Sequence, residues 1–348
     1  MAKNYHEEQD LKNVKLLRER LTEMPPFMSE FFRGIQETTS SNTRLGYAND
    51  LRIFFEYLLK NEPSFKAIDI ENFTLDVLDK TSPEHIENYM EFLTYHERNQ
   101  IEYHNKAQGK SRKLSAVRAM FAYFYKKRKL TKNPAEVVEF PKIHEKNITR
   151  LEIDEVARLL DEVEFGEKLT ERQQKFHQYT KKRDLAIVTL LLGTGIRVSE
   201  CVAINMSHVD FNVAGIKITR KGGNEVVIYF GDEVYDALLD YFKEREKIIP
   251  VSGYEDALFL SMQHKRITTR AVQNLVKKYS QLITSLKNIS PHKLRSTYGT
   301  NLYQETGDIY LVADVLGHKD VNTTKKHYAE LEDSRRRQAA KYVKLRKD

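Results

Sequence analysis

The stretch Leu185-Ala186-Ile187-Val188-Thr189-Leu190-Leu191-Leu192 runs straight into Gly193-Thr194-Gly195-Ile196-Arg197-Val198-Ser199-Glu200. Its first half is an apolar run that reads as a buried helix, and the two glycines are expected to stop it. A second helix begins at once, so Arg197 stands at a junction between helices. Glu200 follows three residues later and shares a helical face with Arg197. A permanently charged guanidinium directly behind a buried, glycine-stopped helix is an uncommon placement. It marks the junction as a candidate site.

Working upstream, residues 162–182 are polar and are expected to form a loop or a helix–loop insertion. Thr149 and Glu152 have capping-box spacing ahead of Ile153, Val156, Leu159 and Leu160, which puts the start of a domain at 150. Downstream, residues 214–230 hold the only clear strands. Ile216/Ile218 and Val226/Ile228 alternate around Lys221-Gly222-Gly223-Asn224, a Gly-rich hairpin turn. The rest of this half reads as helical, so residues 150–332 are expected to form an α-rich domain with a small antiparallel β-sheet.

The first half has helical periodicity too. Ser40-Ser41-Asn42-Thr43 offers a cap for Leu45, Leu51, Phe54, Phe55, Leu58 and Leu59. Ser82-Pro83-Glu84 opens a helix through Ile86, Tyr89, Met90 and Leu93. A third helix is expected near Lys113–Tyr125, with Leu114, Val117, Met120, Phe121 and Phe124 on one face. Residues 28–140 therefore read as a helical bundle. Residues 1–27 read as a polar, partly helical extension ending at Pro25-Pro26, and 141–149 as a linker. The fold class is mainly α, in two domains.

Composition narrows the function. Of 348 residues, 40% are hydrophobic and 31% charged, the pattern of a soluble globular chain. No uninterrupted apolar stretch approaches the roughly 20 residues of a membrane helix, and the N-terminus has no apolar signal core. Cys201 is the only cysteine, which excludes an internal disulfide and favours a reducing, cytoplasmic setting. The net charge of +7 suits a polyanionic partner, nucleic acid first. From Lys106 to Lys132 the chain holds ten basic residues and no acidic one. Lys110, Arg112, Lys113 and Arg118 in that run are candidates for phosphate contact. There is no Walker A loop, no Cys/His metal cluster and no Rossmann glycine pattern, so no metal and no cofactor are expected.

Four patches of the second domain carry chemistry. They are the Gly193–Glu200 junction, Arg220-Lys221-Gly222-Gly223, Ser290-Pro291-His292-Lys293-Leu294-Arg295, and Leu316-Gly317-His318-Lys319-Asp320, with Tyr328 ten residues beyond His318. Attack on a phosphodiester builds negative charge on its non-bridging oxygens. The fork-shaped guanidiniums of Arg197 and Arg295 suit that charge. Glu200 is placed to orient Arg197 or a neighbouring His. Ser290 and Pro291 are a cap and a first helical position, which puts His292 at a helix N-terminus, itself favourable to phosphate. His292 and Arg295 share a face. His318, just after Gly317, can hydrogen-bond a phosphate oxygen. A tyrosine has a pKa near 10 and needs a base or a strong positive field to attack at neutral pH.

The order Arg197, Lys221, His292-x-x-Arg295, His318, Tyr328 resembles the tyrosine recombinase (phage-type integrase) family. So do the surrounding G-x-R-x-S-E, K-G-G, S-P-H-x-L-R and L-G-H. Ser41, Thr43, Tyr47, Asp50-Leu51, Phe54-Phe55 and Tyr57-Leu58 are similar, more loosely, to that family's core-binding domain. The polar segment before Lys182-Arg183-Asp184 and the Thr219–Gly223 hairpin most resemble the single-protein Xer recombinases of Gram-positive bacteria. The resemblance implies a two-domain clamp on double-stranded DNA, with Tyr328 as nucleophile, Lys221 protonating the leaving 5′ oxygen and His292 a proton-transfer group. It also implies a homotetramer on two sites, a Holliday-junction intermediate, and a C-terminal segment, 333–348, that docks on a neighbouring protomer. Chromosome-dimer resolution is the use it suggests, with mobile-element integration as the alternative. One departure is Ser296, where the family often has a second His. A type IB topoisomerase shares the chemistry but fits the core-binding domain and tail poorly. A non-catalytic DNA-binding protein leaves the constellation without a purpose.

Overall fold

The computed structural model describes residues 5–98, 100–143, 149–220, 222–318 and 321. The chain divides into two compact units, Met1–Lys146 and Asn147–Asp348, a division inside the segment 141–149 read as a linker.

The first unit holds α1 (Tyr5–Leu21), α2 (Met28–Gly34), α3 (Ser41–Asn61), α4 (Leu75–Leu78) and α5 (Pro83–Phe92), then β1 (His96–Arg98), β2 (Ile101–Tyr103) and α6 (Ala107–Lys126). Caps start the helices where the sequence offers them. The Ser40 side chain accepts from the Thr43 N–H, and Ser82 and His85 form a reciprocal capping box ahead of Pro83. Leu51, Phe54, Phe55 and Leu58 of α3 and Leu114, Val117, Phe121 and Phe124 of α6 are all 0% exposed and share one core. Each buried Phe contributes about 1.5–3 kcal/mol relative to an exposed one.

Three features depart from the sequence reading. From Tyr5 onward the segment read as an extension is built into the bundle: α1 lies against α3, Leu17 and Met24 join the core, and Asn13 Nδ2 donates to Ser41 Oγ at 2.9 Å and Asn42 Oδ1 at 2.8 Å. The third helix starts at Ala107, six residues earlier than expected. A short hairpin, β1–β2, pairs His96 with Tyr103 and Arg98 with Ile101. Its strands are three residues long and mostly polar, too short for an alternation to register.

The second unit comprises α7 (Ile153–Phe165), α8 (Glu171–Thr194), α9 (Val198–Ala203), β3 (Val209–Asp210), β4 (Gly215–Thr219), β5 (Glu225–Tyr229), α10 (Asp232–Arg245), α11 (Thr269–Ile283), α12 (Pro291–Thr306) and α13 (Ile309–Leu316). The box ahead of α7 uses Glu152 and Glu155, three residues beyond the expected pair: Glu155 Oε2 accepts from the Glu152 N–H at 2.8 Å. The Leu151 N–H donates to Thr297 Oγ1 at 3.0 Å and ties this start to α12.

Helix α8 takes up residues 171–182 of the segment expected as a loop or a helix–loop insertion, and passes through Gly193 to end at Gly195 (φ 62°). Its N-terminal half buries polar groups instead of apolar ones. His177 Nε2 bonds Val163 O at 2.9 Å, and Thr180 donates to Asp184 at 3.1 Å. Tyr279 of α11 also donates to Asp184, at 3.2 Å. Gly193 serves packing: a Cβ there would overlap Val234 of α10. The sheet is antiparallel in the order β3-β4-β5, with Ile216 opposite Ile228 and Ile218 opposite Val226. The turn between β4 and β5 closes through Arg220 N to Asn224 O (2.8 Å) and Gly223 N to Arg220 O (3.0 Å).

Candidate active site

Helix α8 needs a left-handed residue to end, and Gly195 supplies it; a Cβ there would overlap the Tyr298 ring of α12. Two residues on, Arg197 is the extended N-cap residue of α9. An arginine cannot accept from the helix's first N–H groups, so Glu200 works in the other direction. Its carboxylate accepts from the Arg197 N–H at 2.7 Å and from Arg197 Nη1 at 2.9 Å. Glu200 is buried, while the Arg197 side chain is 36% exposed. One end of the ion pair is fixed inside the protein and the other reaches toward solvent.

Helix α12 begins with Ser290 at the cap and Pro291 at its first turn, so His292 stands exposed at a helix N-terminus. Arg295, one turn on, is buried, with its guanidinium donating to two helix ends: Nη1 to Gly195 O at 2.6 Å and Nη2 to Leu316 O. Helix α13 ends at Gly317 (φ 63°), where Arg197 Nη2 reaches Gly317 O at 3.3 Å. His318 follows, half-buried, its N–H donating to Ala313 O at 2.9 Å.

Carbonyls at a helix C-terminus have no partner within the helix and carry the negative end of its dipole. Here they are met by arginines. The helix ends draw Arg197 and Arg295, 98 positions apart in the chain, into one place, with His318 on the turn they hold. Arg197, Glu200, Arg295 and His318 thus share one cluster around Gly195 and Gly317, and His292 lies one turn before Arg295 on α12. Lys221 and Tyr328 lie outside the described residues. Burial, with Glu200 adding to it, pushes the Cys201 thiol far up, so it stays protonated and is no rival nucleophile.

A residue left without a role in the sequence reading joins this cluster. Arg220, at the start of the β4–β5 turn, donates through Nη1 to Asp314 O at 3.1 Å and through Nη2 to Val315 O at 2.8 Å. It lies across Gly317, where a Cβ would overlap its guanidinium. Its proximity to Lys221 in sequence was the available signal.

The phage integrase family model matches residues 149–335, more than half of the chain. The chain belongs to the phage integrase family, as an Xer-like tyrosine recombinase. Such enzymes cleave and rejoin DNA strands at specific sites. The recombinase is 33% identical over 328 residues to tyrosine recombinase XerC of Caldanaerobacter subterraneus subsp. tengcongensis, covering 90% of this chain and 86% of that one. It is 28% identical to tyrosine recombinase XerS of Lactococcus lactis subsp. cremoris, covering 91% and 94%. In fold it is similar to XerH recombinase bound to palindromic difH substrate (TM-score 0.63, 18% identity, 85% and 80% covered). It is likewise similar to a lambda integrase dimer on a core site (TM-score 0.60, 12% identity, 86% and 96% covered).

The recombinase's basic run divides by geometry. Lys110 Nζ reaches Thr94 Oγ1 at 2.5 Å from a half-buried position on α6, and the exposed Arg112 pairs with Asp50. Lys113 is buried, donating to Asn105 Oδ1 at 2.9 Å with Asp50 at 3.8 Å. Burial pushes the Asp50 carboxyl up and the Lys113 ammonium down, against their mutual attraction. Arg118 donates to the carbonyls of Ala135, Glu136 and Val138 and stacks over Phe140 at 4.4 Å. Lys113 and Arg118 are thus engaged inside the first unit, whereas Lys126, Lys127 and Arg128 are exposed.

Proposed function

We propose that Arg197, Lys221, His292, Arg295, His318 and Tyr328 surround one scissile phosphate and carry strand exchange through a 3′-phosphotyrosyl intermediate. The Tyr328 hydroxyl gives up its proton, with His292 as the transfer group, and its oxygen bonds to phosphorus. The bond from phosphorus to the 5′ oxygen breaks, and that oxygen takes a proton from the Lys221 ammonium. Arg197 and Arg295 stabilise the charge on the non-bridging oxygens, His318 hydrogen-bonds one of them, and Glu200 holds Arg197. The bond energy stays in the phosphotyrosine, so a 5′ hydroxyl reverses the step on a new strand. No metal and no nucleotide cofactor enters this scheme. The observation that carries the reading is the joint hold of Arg197 and Arg295 on the turns at Gly195 and Gly317.

Four protomers on two DNA sites then exchange one strand pair, pass through a Holliday junction and exchange the other. Both units contact the duplex in this reading, and the setting is the cytoplasm. Chromosome-dimer resolution is the use we assign, on the resemblance to Xer recombinases. The test takes DNA fragments that the full chain binds and cleaves, rebuilt as nicked duplexes that trap the covalent state. Tyr328→Phe is expected to bind them as the wild type does and to form no adduct. A surviving adduct removes Tyr328 from the reaction.

A further inference from the structure

We propose that Arg220 is a positioning residue for the leaving-group step: its guanidinium straps the β4–β5 turn to the C-terminal end of α13, one position in the chain before Lys221. The proposal rests on the recombinase reading above and concerns a side chain to which that reading gives no part.

Strands β4 and β5 pair along five residues, but the turn beyond them is exposed, with nothing within 4 Å of a Cβ built at Gly222 or Gly223. Both glycines have positive φ, 102° and 87°, and add no side chain to hold the turn. Among the described residues, the hydrogen bonds that leave this turn for another part of the fold are those of Arg220, to Asp314 O and Val315 O. These acceptors are the last-turn carbonyls of α13, where helix polarity favours a cation. The fork gives two bonds in a fixed plane, so it sets direction as well as distance. Gly317 leaves the room the fork occupies. The next residue in the chain is Lys221.

Removing this strap affects its two ends unequally. The end of α13 keeps Arg295 on Leu316 O, Arg197 on Gly317 O, and its own closure by Gly317 N to Asp314 O and His318 N to Ala313 O. Among the described residues, the hairpin turn keeps only its internal bonds. Loss of Arg220 therefore falls on the group the turn delivers. Proton donation to a departing oxygen depends steeply on placement and contributes about 10²–10⁴ in rate.

The test compares two nicked duplexes with the same sequence. One has the ordinary 5′ oxygen at the scissile phosphate, the other sulfur in that bridging position. A thiol, with pKa about 8.5, leaves without being protonated, whereas an alcohol does not. Full-length wild type, Arg220→Ala, Arg220→Lys and Lys221→Ala are compared in single-turnover cleavage. Arg220→Ala is expected to cleave the oxygen substrate at least about tenfold more slowly and the sulfur substrate within about twofold of wild type. Arg220→Lys, which keeps the charge and loses the fork, is expected to fall between. The ratio of the two rates does not depend on the fraction of folded enzyme, so a destabilised preparation still reads out. Equal slowing on both substrates, or none on either, overturns the proposal. Lys221→Ala is expected to show the same selective loss in larger measure. If it does not, Lys221 is not the proton donor, and the proposal falls with that assignment and not through Arg220.

Discussion

Glu200 does two jobs with one carboxylate, capping the backbone of Arg197 and holding its guanidinium. A charge-assisted bond of this kind contributes about 1.5–3 kcal/mol, and the half-exposed partner favours the low end. Glu200→Gln keeps the shape and one acceptor but removes the charge. Its expected effect is a roughly tenfold slower cleavage with little change in DNA affinity, measured by single-turnover kinetics beside a binding titration. An equal fall in affinity would make Glu200 a determinant of binding. At this scale the sequence was readable where partners are near in the chain: Glu200 shares a helical face with Arg197 three residues away. Arg220 was not, because its acceptors are backbone carbonyls 94 and 95 positions downstream and no residue type marks a carbonyl.

Helix α6 carries basic residues of two kinds. Lys113 and Arg118 serve the first unit's own structure, while Lys110 stands nearer its surface. Lys113→Ala removes a buried bond to Asn105 and leaves the Asp50 carboxyl with Arg112 as its cationic partner, and is expected to lower stability by about 1–3 kcal/mol without changing the salt dependence of DNA binding. Lys110→Ala is expected to leave stability alone and to reduce the slope of log K against log salt by about 0.9, one phosphate contact. Thermal melting and binding titrations at several salt concentrations separate the two. A flat salt response in the wild type removes the basic run from the interface. Charge density in the sequence showed where cations lie but not which of them Asp50 or the Ala135 carbonyl had taken. Element boundaries failed for a similar reason. Between His177 and Asp184, α8 turns polar groups inward, so a helical stretch built on them showed no apolar period. Helix α1 has few apolar residues, yet Leu17 and the Asn13 bonds fasten it to α3.

For the molecule as a whole, the division into two units was legible because Pro141 and the polar residues after it interrupt the helical pattern between two sets of core-forming helices. The segment 333–348, proposed as a protomer contact, lies outside the described residues. Deleting it is expected to leave DNA binding and strand cleavage near wild type and to lower complete recombination about tenfold or more, since multivalent assembly multiplies weak contacts. Recombination at the wild-type rate would show the segment to be a solvated tail. A different consequence follows from the end of α13. Four consecutive carbonyls, Asp314 to Gly317, are held by Arg220, Arg295 and Arg197, encoded at three distant places in the gene. A substitution that tilts this short helix is felt by all three arginines, and a change in one alters which changes the others tolerate. Across descendants of this gene the four patches are then inherited as one linked trait, drifting in correlated sets instead of one codon at a time.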